Sequence, residues 1–167
     1  AALFAWGQRK TIIAKCTELM QRMDNAPYDF VLNHSSNELK SLESFVHRTF
    51  NGTDLLYTID FLQRHYTQFE SLEEAFVPSK KYKDSDTGEA LRNFHSHFTN
   101  SEYFPKRTEK HIASPAKGSS CKRLNMYLRW MCRTNAEGID FQLWNKIKPH
   151  QLVCPLDVHV MRVSEKI

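Results

Sequence analysis

Three observations predict an all-α fold, an orthogonal bundle of helices, for this chain of 167 residues. Apolar residues recur at helical spacing, no segment alternates apolar and polar residues over a strand's length, and only five glycines interrupt the chain. A helix buries residues three and four apart, whereas a half-buried strand buries every second one, so the period separates the two. The length suits one domain with a real core, read here as a single helical domain over residues 1–167.

The first helical run extends from Leu3 to Met23 and is closed by Asn25-Ala26-Pro27. Phe45-Val46-His47-Arg48 reads as a buried helical turn with polar flanks. After the Asn51-Gly52-Thr53 break, Leu55, Leu56, Ile59, Leu62 and Tyr66 share one face of a helix that Thr53 or Asp54 can cap. Leu72 to Phe76 forms a shorter run, with Ser71 and Glu74 spaced as a capping box. Ser79 to Thr87 is the most loop-like polar stretch, Ala90 to Phe98 is helical, and Asn100 to Gly118 is a second long connection. Leu124, Tyr127, Leu128 and Met131 then fall at i, i+3, i+4 and i+7, a buried stripe, while Lys122, Asn125, Arg129 and Arg133 share a polar face. Gly138 and Pro149 punctuate the chain again. Pro155 gives an extended entry to a last helix, with Asp157 at its N-cap and Leu156, Val160, Val163 and Ile167 as its stripe. Position 1 is not Met, the opening apolar run lacks a cap, and the chain stops within a helical pattern. The chain therefore reads as a fragment truncated at both ends.

No stretch reaches the roughly 18 apolar residues of a membrane helix, and the first residues lack the charged start and cleavage site of a signal peptide. Cys16, Cys121, Cys132 and Cys154 lie too far apart for a metal knuckle and do not suggest a disulfide scaffold. His95, His97 and His111 have no carboxylate or cysteine at a familiar ligand spacing, so neither a metal nor a cofactor is expected. These features predict a soluble cytoplasmic protein with no membrane partner. The net charge of +4 is unevenly placed. Between Tyr103 and Arg133, eight basic side chains face Glu109 alone, which leaves that segment at +7 and the rest of the chain at −3. Such a distribution steers the segment toward a polyanion, although charge alone is equally the mark of a solvated face.

Two helix mouths carry the candidate chemistry. Gly118-Ser119-Ser120-Cys121 is a tight turn feeding the helix of Lys122, and backbone N–H groups in such a turn are suited to a phosphate. Cations are disfavoured at a helix N-terminus, and an amine has to lose its proton to act as a nucleophile. Asp157 occupies a capping position, where a carboxylate stays ionised and can stabilise a developing cation. Taken singly, Lys122 is equally an ordinary solvated lysine and Asp157 a structural cap.

The two segments together resemble the helix-hairpin-helix DNA glycosylase superfamily. Its endonuclease III branch carries a hairpin Leu-Pro-Gly-Val-Gly-Arg-Lys-Thr and, later, Val-Asp-Thr-His-Val/Ile-x-Arg. Aligned on the lysine, the hairpin glycines fall on Gly118 and Ser120, and the second motif falls on Asp157, His159 and Arg162. Ser120, Arg123 and Val158 depart from the pattern, and the 35 positions between Lys122 and Asp157 are closer to archaeal 8-oxoguanine glycosylases. The run Ser-Ser-Cys-Lys-Arg-Leu-Asn-Met-Tyr-Leu-Arg-Trp-Met is similar to an uncharacterised bacterial family of unknown function, of Bacteroidetes type, placed in the same superfamily. Ala5-Trp6-Gly7, Phe45 to Arg48, Gly138-Ile139-Asp140 and Leu143-Trp144 share in that pattern.

The resemblance implies a glycosylase fold with a helix-hairpin-helix-like element around residues 108–133, and a base-excision enzyme acting as a monomer on duplex DNA that carries a damaged base. Lys122 is then the Schiff-base nucleophile and Asp157 the residue that stabilises positive charge or helps deprotonate it. The amides of Gly118, Ser119, Ser120 and Cys121, with Arg123 and Arg129, would bind the DNA backbone, and Asn125, His159 and Arg162 would support the site. Trp6 and Gln8 are the first candidates for the base pocket, ahead of Arg9, Phe98, Tyr103, Phe104, Trp130 and Trp144. Two other readings keep the basic segment and dispense with the chemistry: a non-catalytic helix-hairpin-helix module that binds DNA, and an RNA or protein interaction domain.

Overall fold

The structure, a computed structural model, describes residues 1–135, 137–156 and 158–166, the side chains of 158–160 excepted. It is all-α. Among the described residues the β pairing is confined to two isolated bridges, His47–Phe50 and Thr134–Phe141. No helix among them is long and apolar enough to cross a membrane. The chain forms two compact units, one of residues 1–72 and 98–112 and one of residues 73–97 and 113–167.

The first unit is built on α1 (Arg9–Arg22), α2 (Pro27–Asn33), α3 (Ser36–Glu43) and α4 (Gly52–Tyr66). Phe4, Leu19, Met23, Phe30, Leu42, Phe45, Phe50, Leu55 and Ile59 form its core. The helical run expected from Leu3 starts instead at Arg9. Residues 2–4 make a single 3-10 turn, and Gly7, at φ +102°, reverses the chain so that Phe4 packs against Phe45 and Phe50. α2 and α3 were not anticipated, although Pro27 stands at the first turn of one and Ser35 and Glu38 form a reciprocal capping box on the other. Phe45 to Arg48 is not a helical turn. Its amides and carbonyls are needed by the His47–Phe50 bridge, whose two hydrogen bonds measure 2.8 and 3.0 Å. The cap of α4 is Asn51, with Asp54 returning a bond to the Asn51 amide, and not Thr53 or Asp54 itself. Gly52 permits this start: a Cβ there would lie 2.0 Å from the Glu43 carbonyl oxygen.

Asp54 has a second duty. Fully buried, its carboxylate accepts from Thr108 Oγ1 at 2.7 Å and from the Arg107 guanidinium, and the His111 ring lies 3.3 Å away. Residues 106–111, part of the expected long connection, are thereby wound as a 3-10 helix against the start of α4. Burial pushes the Asp54 carboxyl upward, but Thr108, the Asn51 amide, His111 and Arg107 outweigh it and hold it below its ordinary value.

The second unit contains α5 (Glu73–Phe76), α6 (Gly88–Thr99) up to its residue 97, α7 (Lys122–Cys132) and α8 (Val158–Ser164). Phe76 stacks on Phe94 at 4.3 Å, and Trp144 meets Phe76 at 5.2 Å and Tyr127 at 5.4 Å, edge-on in the latter case. Glu73, itself buried, accepts from the amides of Lys146 and Ile147 at 2.7 and 3.1 Å through one oxygen and from Asn145 at 3.3 Å through the other. That carboxylate fixes a segment with no regular structure of its own. The buried Cys132 thiol is pushed up to about 12 by burial, with the Glu73 charge adding to it, so it stays protonated.

Glu73→Ala strands three partly or fully buried amides and is expected to cost about 3 kcal/mol, measured as a lowered urea midpoint. For Asp54 the folded-state value lies below the unfolded one, so its contribution is complete above the unfolded value and is lost as pH falls through the folded one. Stability of the chain should therefore decline below about pH 5, and Asp54→Asn should flatten that decline while lowering the plateau.

Candidate functional site

Lys122 is the first residue of α7, as the sequence predicts, and its side chain is exposed. The residues before it form a short 3-10 turn, Pro115–Lys117, which ends on Gly118 in the left-handed region at φ +69°. A Cβ at Gly118 would meet nothing within 4 Å, so the requirement for glycine there is conformational. Of the element expected over residues 108–133, α7 is the one α-helix. Residues 106–111 and 115–117 are 3-10 turns.

The turn is braced from within. Gly118 donates to the Pro115 carbonyl at 2.9 Å, Ser119 to the Ser114 carbonyl at 3.4 Å, and Cys121 to Ser119 Oγ at 3.1 Å. Three of the four amides assigned to a phosphate are thus already used, and that of Ser120 alone lacks an acceptor among the described residues. Cys121 is itself left-handed, at φ +50°, and buried, with its thiol against the Ser119 carbonyl at 3.4 Å. Burial, partly offset by the Ser119 side chain, pushes its thiol up, which suits packing and not nucleophilic chemistry.

Asn125 does not share an open polar face with Lys122. It is buried, and its side-chain amide donates to the Ser120 carbonyl at 3.0 Å while its oxygen receives Thr87 Oγ1 at 3.4 Å. Asn125 therefore supports the turn from below, one helical turn behind Lys122. Leu124 and Leu128 are buried as expected, with Tyr127 and Met131 at the edge of the stripe.

Arg129 is also committed. Its Nε lies 3.3 Å from the buried carboxylate of Asp140, on the loop that follows α7. That loop is tied to the helix end by Phe141 donating to the Trp130 carbonyl at 2.7 Å and Trp144 to Met131 at 2.9 Å. The arginine assigned to the DNA backbone thus meets a buried charge, a contact the sequence did not reveal because the pattern containing Asp140 names no partner for it. Arg123 is half-buried, and burial draws its guanidinium below its ordinary value without discharging it at neutral pH.

In the first unit Trp6 is half-buried. Its indole Nε1 is enclosed without an acceptor, the Arg48 guanidinium covers one face at 4.6 Å, and His47 meets it edge-on at 6.1 Å. One face of the indole is therefore occupied by Arg48. Gln8 is exposed and stands at the N-cap of α1 without a side-chain capping bond. Phe98 and Trp144 are core, whereas Tyr103 is exposed. Arg162 is exposed on α8, while Asp157 and the side chain of His159 lie outside the described residues.

Against this geometry, one family model matches the chain over residues 1–167, that of "Protein of unknown function (DUF2400)". The chain belongs to that family. No curated protein and no solved structure matches it. The family match spans both units, so the Lys122 turn, the Asp140 loop and the Trp6 segment are all parts of the family's domain.

Asn125→Ala removes the bond that holds the Ser120 carbonyl and leaves Thr87 without its partner. A loss of about 1–2 kcal/mol is expected, with faster amide hydrogen exchange confined first to residues 118–121.

Proposed function

We propose that this chain is a DNA glycosylase with AP-lyase activity, of the helix-hairpin-helix type, acting on a damaged base in duplex DNA through Lys122. The observation that carries the reading is the placement of Lys122: an exposed amine heading an 11-residue helix, on a turn braced beneath it by Asn125. The basic segment from Tyr103 to Arg133, in which Arg107 and Arg129 are paired with Asp54 and Asp140, supplies the attraction to a polyanion through its remaining basic side chains. Phosphate binding at the turn falls to the Ser120 amide, before the mouth of α7.

The chemistry follows from an amine at that place. The damaged nucleotide leaves the stack, exposing C1′. The Lys122 Nζ lone pair forms a bond to C1′, and the glycosidic C–N bond breaks with its electron pair leaving on the base, which takes up a proton. The amine loses its proton as the C1′–O4′ bond opens onto a protonated O4′, giving an iminium ion, the Schiff base. Loss of a C2′ proton then expels the 3′ phosphate, and water releases the sugar fragment from Lys122. In this reading Asp157 stabilises positive charge at the sugar or accepts the Lys122 proton.

Borohydride delivers hydride to the iminium carbon and makes the adduct permanent. Incubation with duplexes bearing an abasic site or 8-oxoguanine is expected to give a trapped protein–DNA adduct that Lys122→Gln abolishes. Trapping that survives in Lys122→Gln removes Lys122 from its role. DNA binding without any adduct favours the non-catalytic DNA-binding module.

A further inference from the structure

The Arg48 guanidinium is held in place by three features that have nothing to do with burying it. It lies over the Trp6 indole at 4.6 Å, a cation–π contact. Its backbone sits at φ +57°, at the first central position of the two-residue turn closed by the His47–Phe50 bridge, where glycine is usually needed. Gly7, at φ +102°, leaves room for it: a Cβ there would lie 2.9 Å from an Arg48 Nη atom. Arg48 is nonetheless exposed, and none of the described carboxylates pairs with it. Stacking occupies a face of the guanidinium and leaves its N–H edge, the part that matches a phosphate, directed away from the ring.

The amino-terminal segment of the same unit is basic: Arg9 and Lys10 are exposed at the start of α1, and no acidic residue precedes Glu18, which pairs with Lys15 at 2.7 Å. A single small anion needs no such run, but a polyanion does. We infer that Arg48 is a binding residue for a backbone phosphate of duplex DNA, and that Trp6 is the residue that positions it. The identity of the polyanion rests on the reading of the preceding subsection. The contact itself belongs to the first unit and does not depend on Lys122.

The test is titration of the full chain into a labelled undamaged duplex across a range of salt concentrations, read by fluorescence anisotropy. Arg48→Gln is expected to weaken binding roughly tenfold at 0.1 M salt and to reduce the slope of log K against log salt by about one. Arg48→Lys keeps the slope and recovers only part of the affinity. Trp6→Leu weakens binding with no change in charge. Lys40→Gln, an exposed lysine of α3, controls for net charge and leaves the slope unchanged. Arg48→Gln and Arg48→Lys both indistinguishable from Lys40→Gln overturn the inference. An Arg48 effect seen only with an RNA duplex overturns the assignment to DNA. Arg48-dependent binding without a borohydride adduct upholds the inference while the lyase reading falls. Absence of duplex binding overturns both.

Discussion

A carboxylate buried among helices needs donors, and this structure depends on two, Asp54 and Glu73, that draw donors from far along the chain. Helices satisfy their own backbone groups locally and so tie nothing distant together. Buried carboxylates supply the long-range polar ties instead. Asp54 gathers Thr108, 54 residues on, with Arg107 and His111. Glu73 gathers the amides of residues 145–147, up to 74 residues on. Asp140 brings the loop after α7 onto Arg129. A buried charge is costly unless it is answered by donors, so the segments that answer it are held where they are. Both oxygens of Asp54 and of Glu73 are met, whereas Asp140 is met by Arg129 through one.

The candidate site shows the other side of that constraint. A turn that presents backbone amides to a ligand must first be stable without one, and here the turn reaches stability by using its own amides. Gly118, Ser119 and Cys121 donate inward, and Asn125 and Thr87 close the structure from beneath. Lys122 is exposed beyond that turn, and of the four turn amides that of Ser120 alone lacks an acceptor among the described residues. The turn is narrower than a fully open phosphate cradle.

The sequence made α7 legible because a helix start can be read from its neighbours. Gly118 needed a left-handed conformation, and Leu124 and Leu128 set the buried stripe. Asn125 was misread for a reason of the same kind. Periodicity assigns a residue to a face but does not say what covers that face, and Thr87 comes from 38 positions earlier. α2 and α3 were missed because short helices between turns carry few apolar repeats, although the Ser35–Glu38 capping box was present. The late start of α1 follows from Gly7 and from the burial of Phe4, a tertiary demand that overrides a continuous helical pattern.

Lysine and arginine divide their labour here according to what each side chain can do. An ammonium on a flexible stem is able to lose its proton and form a covalent bond, and Lys122, at the mouth of α7, is exposed. A guanidinium keeps its charge and offers a planar fork, so it gains most from being held rigid before its partner arrives. Arg48 has that rigidity from Trp6, from a left-handed turn and from the missing side chain of Gly7. An indole face already covered by a guanidinium is not available to stack a base. The same aromatic residue that the sequence offers for a base pocket supports an arginine on that face.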